Sequence, residues 1–381
     1  MKHYIKSIVF TFFLSICLIL FLNFNCSAAE TLSSGTSSPA ADLSSAELIP
    51  PQDSGLIICR PSAKGGTVTS QGGFFFYSNN PEYIYDCALA DHGYWLNRAE
   101  VSGNGQVYIW HSNGLDRTIK SVLSISNPNS SSILIESNQY GLTNGLHCSD
   151  ADAWNSYLTA NQTGISLEVK PGQTVQLFKQ SVEPNNNFGV VAAINITDLN
   201  GKPAKAVLKD IAYRFESMGT FKYAGSDGSS RNRGAGSCYQ NTITFNPVAL
   251  TGNNYFAYSL GSVNDSLDGK DLLKIKDGSN NTESLIAGNY GQIMTINIPI
   301  KNNYRADQNF GIFIGSIGGY SYPFVQLKET SFVSSPVKPF TSRNMIQSGK
   351  IDFGSAKTVS FNLVIPALSS TPLIIGVHPI N

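Results

Sequence analysis

The chain has 381 residues and a formal net charge of zero, and only 14% of its residues are charged. With 41% hydrophobic and 11% aromatic residues it can build folded cores, which excludes a disordered chain. The low charge argues against a nucleic-acid partner, because such binding needs a basic face that displaces counterions.

The N-terminus is typical of a secretory signal peptide. Lys2 and Lys6 precede an apolar run over residues 8–22, and small residues occupy positions 27–29. We predict a signal peptide over residues 1–29 that is cleaved after its last residue. The alternatives are lipidation at Cys26 and an uncleaved membrane anchor, for which the run is shorter than the ~20 residues of a bilayer span. The signal predicts a secreted, extracellular and cell-surface-associated protein, with no membrane span in the mature chain.

Four cysteines lie beyond the signal segment, at Cys59, Cys87, Cys148 and Cys238. An even number of cysteines in an exported chain predicts disulfides, and four cysteines allow three pairings. We favour Cys59–Cys87, which closes a short loop, together with Cys148–Cys238. Zinc binding is the alternative, but the sequence has no Cys-x-x-Cys pair, so we predict no metal site and no cofactor. Free thiols follow if the compartment is not oxidising.

In the first part of the mature chain, the sequence predicts a linker that is followed by strands. Residues 30–55 are rich in Ser, Ala and Pro without periodicity, which predicts a flexible linker. Alternating apolar residues predict strands, which lie near residues 107–110, 119–125, 167–169, 174–175, 190–196 and 211–215. Pro171-Gly172 and Asn200-Gly201 predict turns, and residues 151–160 form the candidate helix.

The second part repeats the strand pattern. Residues 224–237 are rich in Gly and Ser and predict an interdomain linker or a long exposed loop. Apolar residues then alternate over residues 294–300, 310–314 and 361–365. Many short strands with Gly and Pro between them predict an all-β fold. We therefore predict two antiparallel β-sandwich domains, immunoglobulin-like or jelly-roll-like, at residues 56–220 and 238–381.

Catalytic motifs are scarce. The sequence has no Gly-x-Ser-x-Gly elbow, no His-Glu-x-x-His helix and no phosphate-binding Gly-x-x-x-x-Gly-Lys-Ser/Thr loop. The histidines beyond the signal segment are scattered, at positions 92, 111, 147 and 378. We therefore predict a non-catalytic protein. The alternative is a secreted glycan-active hydrolase whose two carboxylates come from loops.

The candidate binding site is an aromatic cluster in the first predicted domain. Its residues are Tyr94, Trp95, Trp110, His111 and Trp154. Aromatic rings can stack on the apolar C–H faces of sugars, and exposed aromatic residues mark interaction sites, so the cluster predicts carbohydrate contact. The alternative is that the tryptophans belong to the core. In the strand at residues 107–111 one face must be buried, and Val107 and Ile109 are favoured for it.

Four segments resemble a known family. They are residues 77–82 (YSNNPE), 105–113 (GQVYIWHSN), 287–293 (AGNYGQI) and 315–320 (GSIGGY). With them the chain resembles secreted surface proteins of spore-forming Gram-positive bacteria that are labelled as copper-amine-oxidase N-terminal-domain proteins. The resemblance implies a non-catalytic surface protein, because no Asn-Tyr dipeptide here continues with the Asp or Glu of the oxidase's quinone motif. We expect a structural, adhesive or carbohydrate-contact role, with cell-wall polysaccharide or another surface protein as partner.

Overall fold

The computed structural model describes residues 61–85, 94–160, 162–214, 222–223, 233–251, 254–278, 281–327, 333–334, 337 and 343–380. The predicted signal peptide, the predicted linker at residues 30–55, and Cys59 and Cys87 lie outside the described residues. Described strands far outnumber the one described helix, α1 (Ala151–Thr159), which confirms the predicted all-β, sandwich-like fold class.

Strands β1 to β24, numbered in chain order, form three sheets. The first contains β1 (Gly66–Gln71), β13 (Gln240–Phe245), β14 (Val248–Leu250), β18 (Ile293–Asn302), β20 (Phe324–Leu327), β21 (Val333–Ser334) and β23 (Ala356–Val364). The second contains β2 (Phe74–Ser78), β3 (Tyr83–Ile84), β4 (Tyr94–Asn113), β5 (Ile119–Ser126), β6 (Ile133–Leu146), β7 (Ile165–Val169), β8 (Thr174–Val182), β9 (Asn186–Asp198), β10 (Lys205–Tyr213), β11 (Lys222–Tyr223), β12 (Arg233–Gly236), β16 (Lys274–Lys276) and β17 (Glu283–Leu285). The third contains β15 (Phe256–Leu260), β19 (Gln308–Ser316), β22 (Arg343–Ile351) and β24 (Leu373–Pro379).

Two of the sheets are mixed rather than wholly antiparallel, which corrects that part of the prediction. Strands β2, β3 and β11 run parallel to β4, and β13 and β14 run parallel to β18. Parallel partners need a long connection between them rather than a tight hairpin, and alternation along a strand does not report its partner's direction.

Strand pairing joins distant parts of the chain. Strand β1 pairs with β13, and β2 pairs with β12, so strands from the first predicted domain lie beside strands that follow residue 232. Backbone contacts group Leu48–Asn381 into one compact unit. The predicted division between residues 220 and 238 stays a prediction.

The alternating segments of the second half form a core, as the sequence predicts. Met294, Ile296, Ile298 and Ile300 of β18 are buried together with the alternating apolar residues of β19 and β23. Their intervening neighbours on β18 are half-buried, which is the pattern of a strand with one face covered. The β-branched isoleucines also favour the extended backbone of this strand.

The second half of strand β4, residues 105–113, is buried on both faces. Val107 and Ile109 pack in a core between the long strands of the second sheet, as expected for the aliphatic pair. Tyr108 and Trp110, on the opposite face, pack in a separate aromatic core with Trp154 of α1. Both faces of β4 are therefore covered over residues 105–113, whereas alternate residues of its first half are exposed.

The two predicted turns form, but neither closes a hairpin of long strands. The chain turns at Pro171 and Gly172 between β7 and β8, yet β7 pairs with β6 and β8 pairs with β5. At the Asn200-Gly201 turn the Gly201 N–H donates to the Asp198 carbonyl. Beyond this turn β9 and β10 do not pair with each other: both pair with β4, and β9 also pairs with β6 whereas β10 also pairs with β5.

Helix α1 is fastened at its first turn by the preceding Asp150. Asp150 occupies the N-cap position but makes no side-chain cap. Its carboxylate instead accepts hydrogen bonds from Tyr108 Oη at 2.6 Å and from the Ala367 N–H at 2.6 Å. The carboxylate therefore ties α1 to β4 and to the segment before β24. Within the described residues, no helix has the length and apolarity needed to cross a bilayer.

Candidate functional site

Two of the three tryptophans in the predicted aromatic cluster, Trp110 and Trp154, are buried in the core. Trp110 and Trp154 are 2% and 0% exposed, and both pack in the aromatic core beside Tyr108. Neither indole therefore presents a ring face to solvent, which is the core location that the sequence left open as the alternative.

His111 is buried in a polar network rather than placed in an open site. Its Nε2 lies 2.8 Å from Asp210 Oδ2, and its Nδ1 lies 2.6 Å from the Pro81 carbonyl oxygen. Both ring nitrogens thus lie within hydrogen-bond distance of oxygen atoms, one from the Asp210 side chain and one from the backbone. Ser78 Oγ donates to the same Asp210 oxygen at 2.7 Å. Ser78, His111 and Asp210 are all fully buried, so a substrate cannot reach the serine and the three side chains form an internal polar network.

The remaining members of the predicted aromatic cluster lie apart from these. Trp95 is half-buried and packs against a small cluster of Val122, Ile211 and Tyr213. Tyr94 begins β4, and its side chain lies outside the described residues. The structure thus brings Trp110 and Trp154 together, and it places His111 and Trp95 in separate clusters.

The predicted Cys148–Cys238 disulfide is wrong, because both thiols are free. Cys148 follows β6, and its Sγ lies 3.2 Å from the Gly145 carbonyl oxygen, to which it donates. Cys238 instead packs against the aromatic core. The two cysteines have separate surroundings, which an even count could not reveal. Burial raises the pKa of the Cys148 thiol, so it stays protonated at neutral pH.

A pocket of about 200 Å³ opens near the ends of β3, β4 and β9. It is lined by Tyr83, Tyr85, Ser112, Asn113, Gly114, His147, Asn185, Asn187 and Leu368. The register of the sheet brings these segments together, because β3 pairs Tyr83 with Ser112, and β9 pairs Asn187 with Ser112. Among the described residues, no Asp, Glu, Lys or Arg lines the pocket, so its surface is polar without a permanent charge.

Two stacked tyrosines stand at this pocket. Tyr83 and Tyr85 are 48% and 67% exposed, and their rings lie 14° from parallel with centroids 5.7 Å apart. Ile84 between them is buried, so the alternation of an extended chain turns both rings the same way. Partial burial, and secondly the Glu82 carboxylate, raise the pKa of Tyr83, so its phenol stays neutral at physiological pH.

Some polar side chains of the pocket hold its walls. Asn113 Nδ2 donates to the carbonyls of Arg117 and Val182, at 2.9 and 3.0 Å, which fixes the turn after β4. Ser112 Oγ donates to Asn187 Oδ1 at 2.6 Å, and Asn187 Nδ2 donates to the Cys148 carbonyl at 2.8 Å. These groups are already paired, so they set the shape of the pocket and have little capacity left for a ligand.

Other polar groups of the pocket are open. Asn185 and His147 are exposed, and their side chains make no hydrogen bond within the part of the chain that the structure describes. An amide offers two donated hydrogens and one acceptor oxygen, and an imidazole offers one donor and one acceptor. The pocket therefore joins a pair of open rings to open hydrogen-bonding groups.

Three lining residues have a left-handed backbone. The φ angles of His147, Asn185 and Leu368 are 49°, 62° and 63°. This region is uncommon for residues other than glycine and costs about 1–2 kcal/mol for a residue such as leucine. Strained backbone of this kind concentrates at functional sites, where the surrounding structure enforces it.

Within the described residues, no three His, Cys, Asp or Glu side chains are grouped so that they could hold a metal ion. The pocket offers neutral oxygen and nitrogen groups, which suit an uncharged polar molecule better than a cation.

Tyr83 and Tyr85 are not among the site residues predicted from the sequence. Their signal is the alternation Tyr83-Ile84-Tyr85, in which one apolar residue separates two rings. That pattern places both rings on one face, but exposure depends on what covers the face, and this follows only from the strand register.

No family model and no curated protein matches the chain. Solved structures resemble it weakly. The PBSX exported protein XepA aligns at 9% identity over 78% of this chain and 88% of its own, with a TM-score of 0.18. The tandem CBM22 domain at the N-terminus of Xyn10C from Paenibacillus barcinonensis aligns at 8% identity over 84% of this chain and 92% of its own, with a TM-score of 0.15. TM-scores this low do not establish a shared fold or a shared function.

Proposed function

We propose that this chain is an exported, non-catalytic β protein that binds an uncharged saccharide at the pocket beside Tyr83 and Tyr85. The observation that carries the proposal is the pair of parallel, exposed rings at a neutral polar pocket. Apolar ring faces gain free energy when a partner removes them from water, so exposed apolar surface beside a pocket marks a binding site.

An uncharged saccharide suits both the tyrosine rings and the open hydrogen-bonding groups of the pocket. One face of a sugar ring is lined by C–H groups and can lie flat on a tyrosine ring. The hydroxyl groups at its edge need donors and acceptors, which the open Asn185 amide and His147 imidazole provide. Small-molecule sites commonly combine apolar surface with a few placed polar groups in this way.

Binding is favoured over hydrolysis by the absence of carboxylates. Glycoside hydrolysis uses two carboxyl groups about 5–10 Å apart on either side of the scissile bond. The pocket is lined by none within the described residues. Asp265 and Asp271, which interact with each other, are buried at 2% and 0% exposure, so a polysaccharide cannot reach them.

Export is part of the proposal, and it depends on the predicted signal peptide. Mass spectrometry of the secreted chain is expected to find Glu30 at the mature N-terminus. An intact Met1 would favour the uncleaved anchor instead.

Retention on polysaccharides tests the binding proposal. Affinity electrophoresis of the full chain, in gels that contain soluble neutral glucans, xylans, mannans or chitin derivatives, is expected to show retardation in at least one gel. Tyr83→Ala and Tyr85→Ala should each reduce the affinity about tenfold, the scale of one lost aromatic contact. Tyr304→Ala is the matched control, because Tyr304 is also exposed but lies after β18 and outside the pocket lining. If no gel retards the wild-type chain, the proposal is overturned.

A further inference from the structure

A second pair of exposed tyrosines lies close to the pocket in the structure. Tyr320 and Tyr322 are 54% and 40% exposed, whereas Ser321 between them is fully buried. Ser321 forms an antiparallel bridge with Val337, so the backbone is extended here. Alternate residues of an extended chain point the same way, and both rings therefore leave the same side of the segment.

The loop at residues 366–371 connects this segment to the pocket. Leu368 lines the pocket and is itself about half exposed. Two residues further on, the Ser370 N–H donates to the Tyr320 carbonyl at 2.7 Å. The Tyr322 N–H donates to Ser369 Oγ at 3.0 Å. Since two residues span at most about 7 Å, the backbone of Tyr320 lies within a short step of the pocket wall.

The 366–371 loop is firmly held. The Ala367 N–H donates to Asp150 Oδ1 at 2.6 Å, and Tyr290 Oη donates to the Ser369 carbonyl at 2.5 Å. On the other side, a Cβ atom on Gly318 would lie 2.1 Å from the Thr371 carbonyl oxygen, so the two segments are in direct backbone contact. A surface that is ordered before binding loses little conformational entropy when a partner arrives.

We propose that the binding surface of the pocket continues across Leu368 onto Tyr320 and Tyr322, and that it takes several consecutive units of one neutral polysaccharide chain. The inference rests on the proposed function of the pocket. Tyr83 and Tyr85 hold one unit, Leu368 lies under the chain beyond it, and Tyr320 and Tyr322 contact later units. A polymer matches this arrangement because its repeated C–H faces can meet rings that are spaced along a surface, whereas a single sugar fills only the pocket.

The test compares short and long oligosaccharides on the full chain. Isothermal titration uses β-1,4-linked glucose, xylose and N-acetylglucosamine oligomers of two and of six units. For the sugar that binds, we expect an affinity at least about tenfold higher for the hexamer than for the dimer. The double variant Tyr320→Ala/Tyr322→Ala should lower the hexamer affinity toward that of the dimer and leave dimer binding unchanged. Tyr83→Ala should weaken both, and Tyr304→Ala should weaken neither.

The outcomes separate this inference from the proposed function. Equal affinities for dimer and hexamer, or hexamer binding that survives loss of both Tyr320 and Tyr322, would overturn the extended surface while pocket binding stands. If the wild-type chain binds none of these oligomers and is also retarded by no polysaccharide in the gels, both proposals are overturned. All the exchanged tyrosines are exposed, so each variant is expected to keep the wild-type thermal unfolding temperature.

Discussion

The ring of Tyr83 lies almost parallel to the ring of Tyr85, with centroids 5.7 Å apart. The stack forms because buried Ile84 separates the two residues and turns both side chains to the same face. Both rings are largely open to solvent, so the outer faces of the stack offer apolar surface beside the neutral pocket. This exposed pair is thus distinct from the buried aromatic core around Trp110 and from the buried polar network around His111.

Gly114 sets the position of Tyr85. A Cβ atom at Gly114 would lie 2.4 Å from Cε1 of the Tyr85 ring, which is closer than van der Waals contact allows. Gly114→Ala should therefore displace the ring and weaken saccharide retention in affinity electrophoresis. The unfolding temperature should change little, because the displaced group is an exposed side chain. Retention equal to wild type would contradict the role assigned to Tyr85.

Loss of the buried Trp110 indole should lower the free energy of unfolding much more than loss of an exposed tyrosine ring. Trp110→Ala removes a fully covered side chain from the aromatic core and is expected to lower the free energy of unfolding by about 3–5 kcal/mol. Tyr85→Ala should change it by less than about 1 kcal/mol, because the ring is mostly exposed. Urea unfolding of both variants measures the difference. Equal losses would contradict the assignment of Trp110 to the core.

Replacing Asp210, the buried partner of His111, should destabilise the fold. Asp210→Asn disturbs the buried contacts of Asp210 Oδ2 with His111 and Ser78, which is expected to cost about 1–3 kcal/mol in the free energy of unfolding. Lys205→Ala is the control, because its ammonium group also lies 2.8 Å from a carboxylate, that of Glu100, but both groups are exposed. We expect the control to unfold like wild type. The interpretation fails if Asp210→Asn does so as well.

Stability should fall as pH rises from about 4 to about 7. Burial, and secondly the neighbouring Asp265 carboxylate, raise the pKa of Asp271 from its ordinary 3.8 to about 7. Between these values the folded chain holds a proton that the unfolded chain has lost, so unfolding releases it and is favoured by higher pH. Burial likewise raises the pKa of Asp150 to about 7, which acts in the same direction. Above pH 7 both contributions are constant.

Asp271→Asn should reduce this pH dependence. The amide keeps an oxygen for the Gly261 N–H and the Asn289 amide, which now donate to Asp271 Oδ2, and it carries no charge. Free energies of unfolding from urea titrations between pH 4 and pH 8 should show a shallower decline than in wild type. Asp268→Asn, an exposed change in the same loop, should keep the wild-type profile. An unchanged slope in Asp271→Asn would contradict the raised pKa.

The core of the second half was predictable because each of its strands has one covered face. Ile296 and Ile298 alternate with half-buried residues, so the period of two reports burial directly. In β4 the same reasoning fails. Val107 and Trp110 lie on opposite faces and are both buried, because other strands cover one face and helix α1 covers the other. Alternation identifies the faces of such a strand but cannot tell which is exposed.

The pocket could not be predicted because its walls come from five separate stretches of chain. Tyr83, Gly114, His147, Asn185 and Leu368 meet only through the strand register and the 366–371 loop. The sequence shows that aromatic and amide residues are present, but it does not show that these residues lie close together in the folded chain. The unpaired Cys148 shows the same limit, because counting cysteines carries no information on distance.

Stacking of the saccharide on Tyr83 and Tyr85 can be measured by isothermal titration of the retained neutral saccharide into variants of these two residues. Tyr85→Phe and Tyr83→Phe keep the ring face and should retain most of the wild-type affinity, whereas the double variant Tyr83→Ala/Tyr85→Ala should lose at least about tenfold. Wild-type affinity in the double alanine variant would show that the saccharide does not stack on these rings, and would contradict the account.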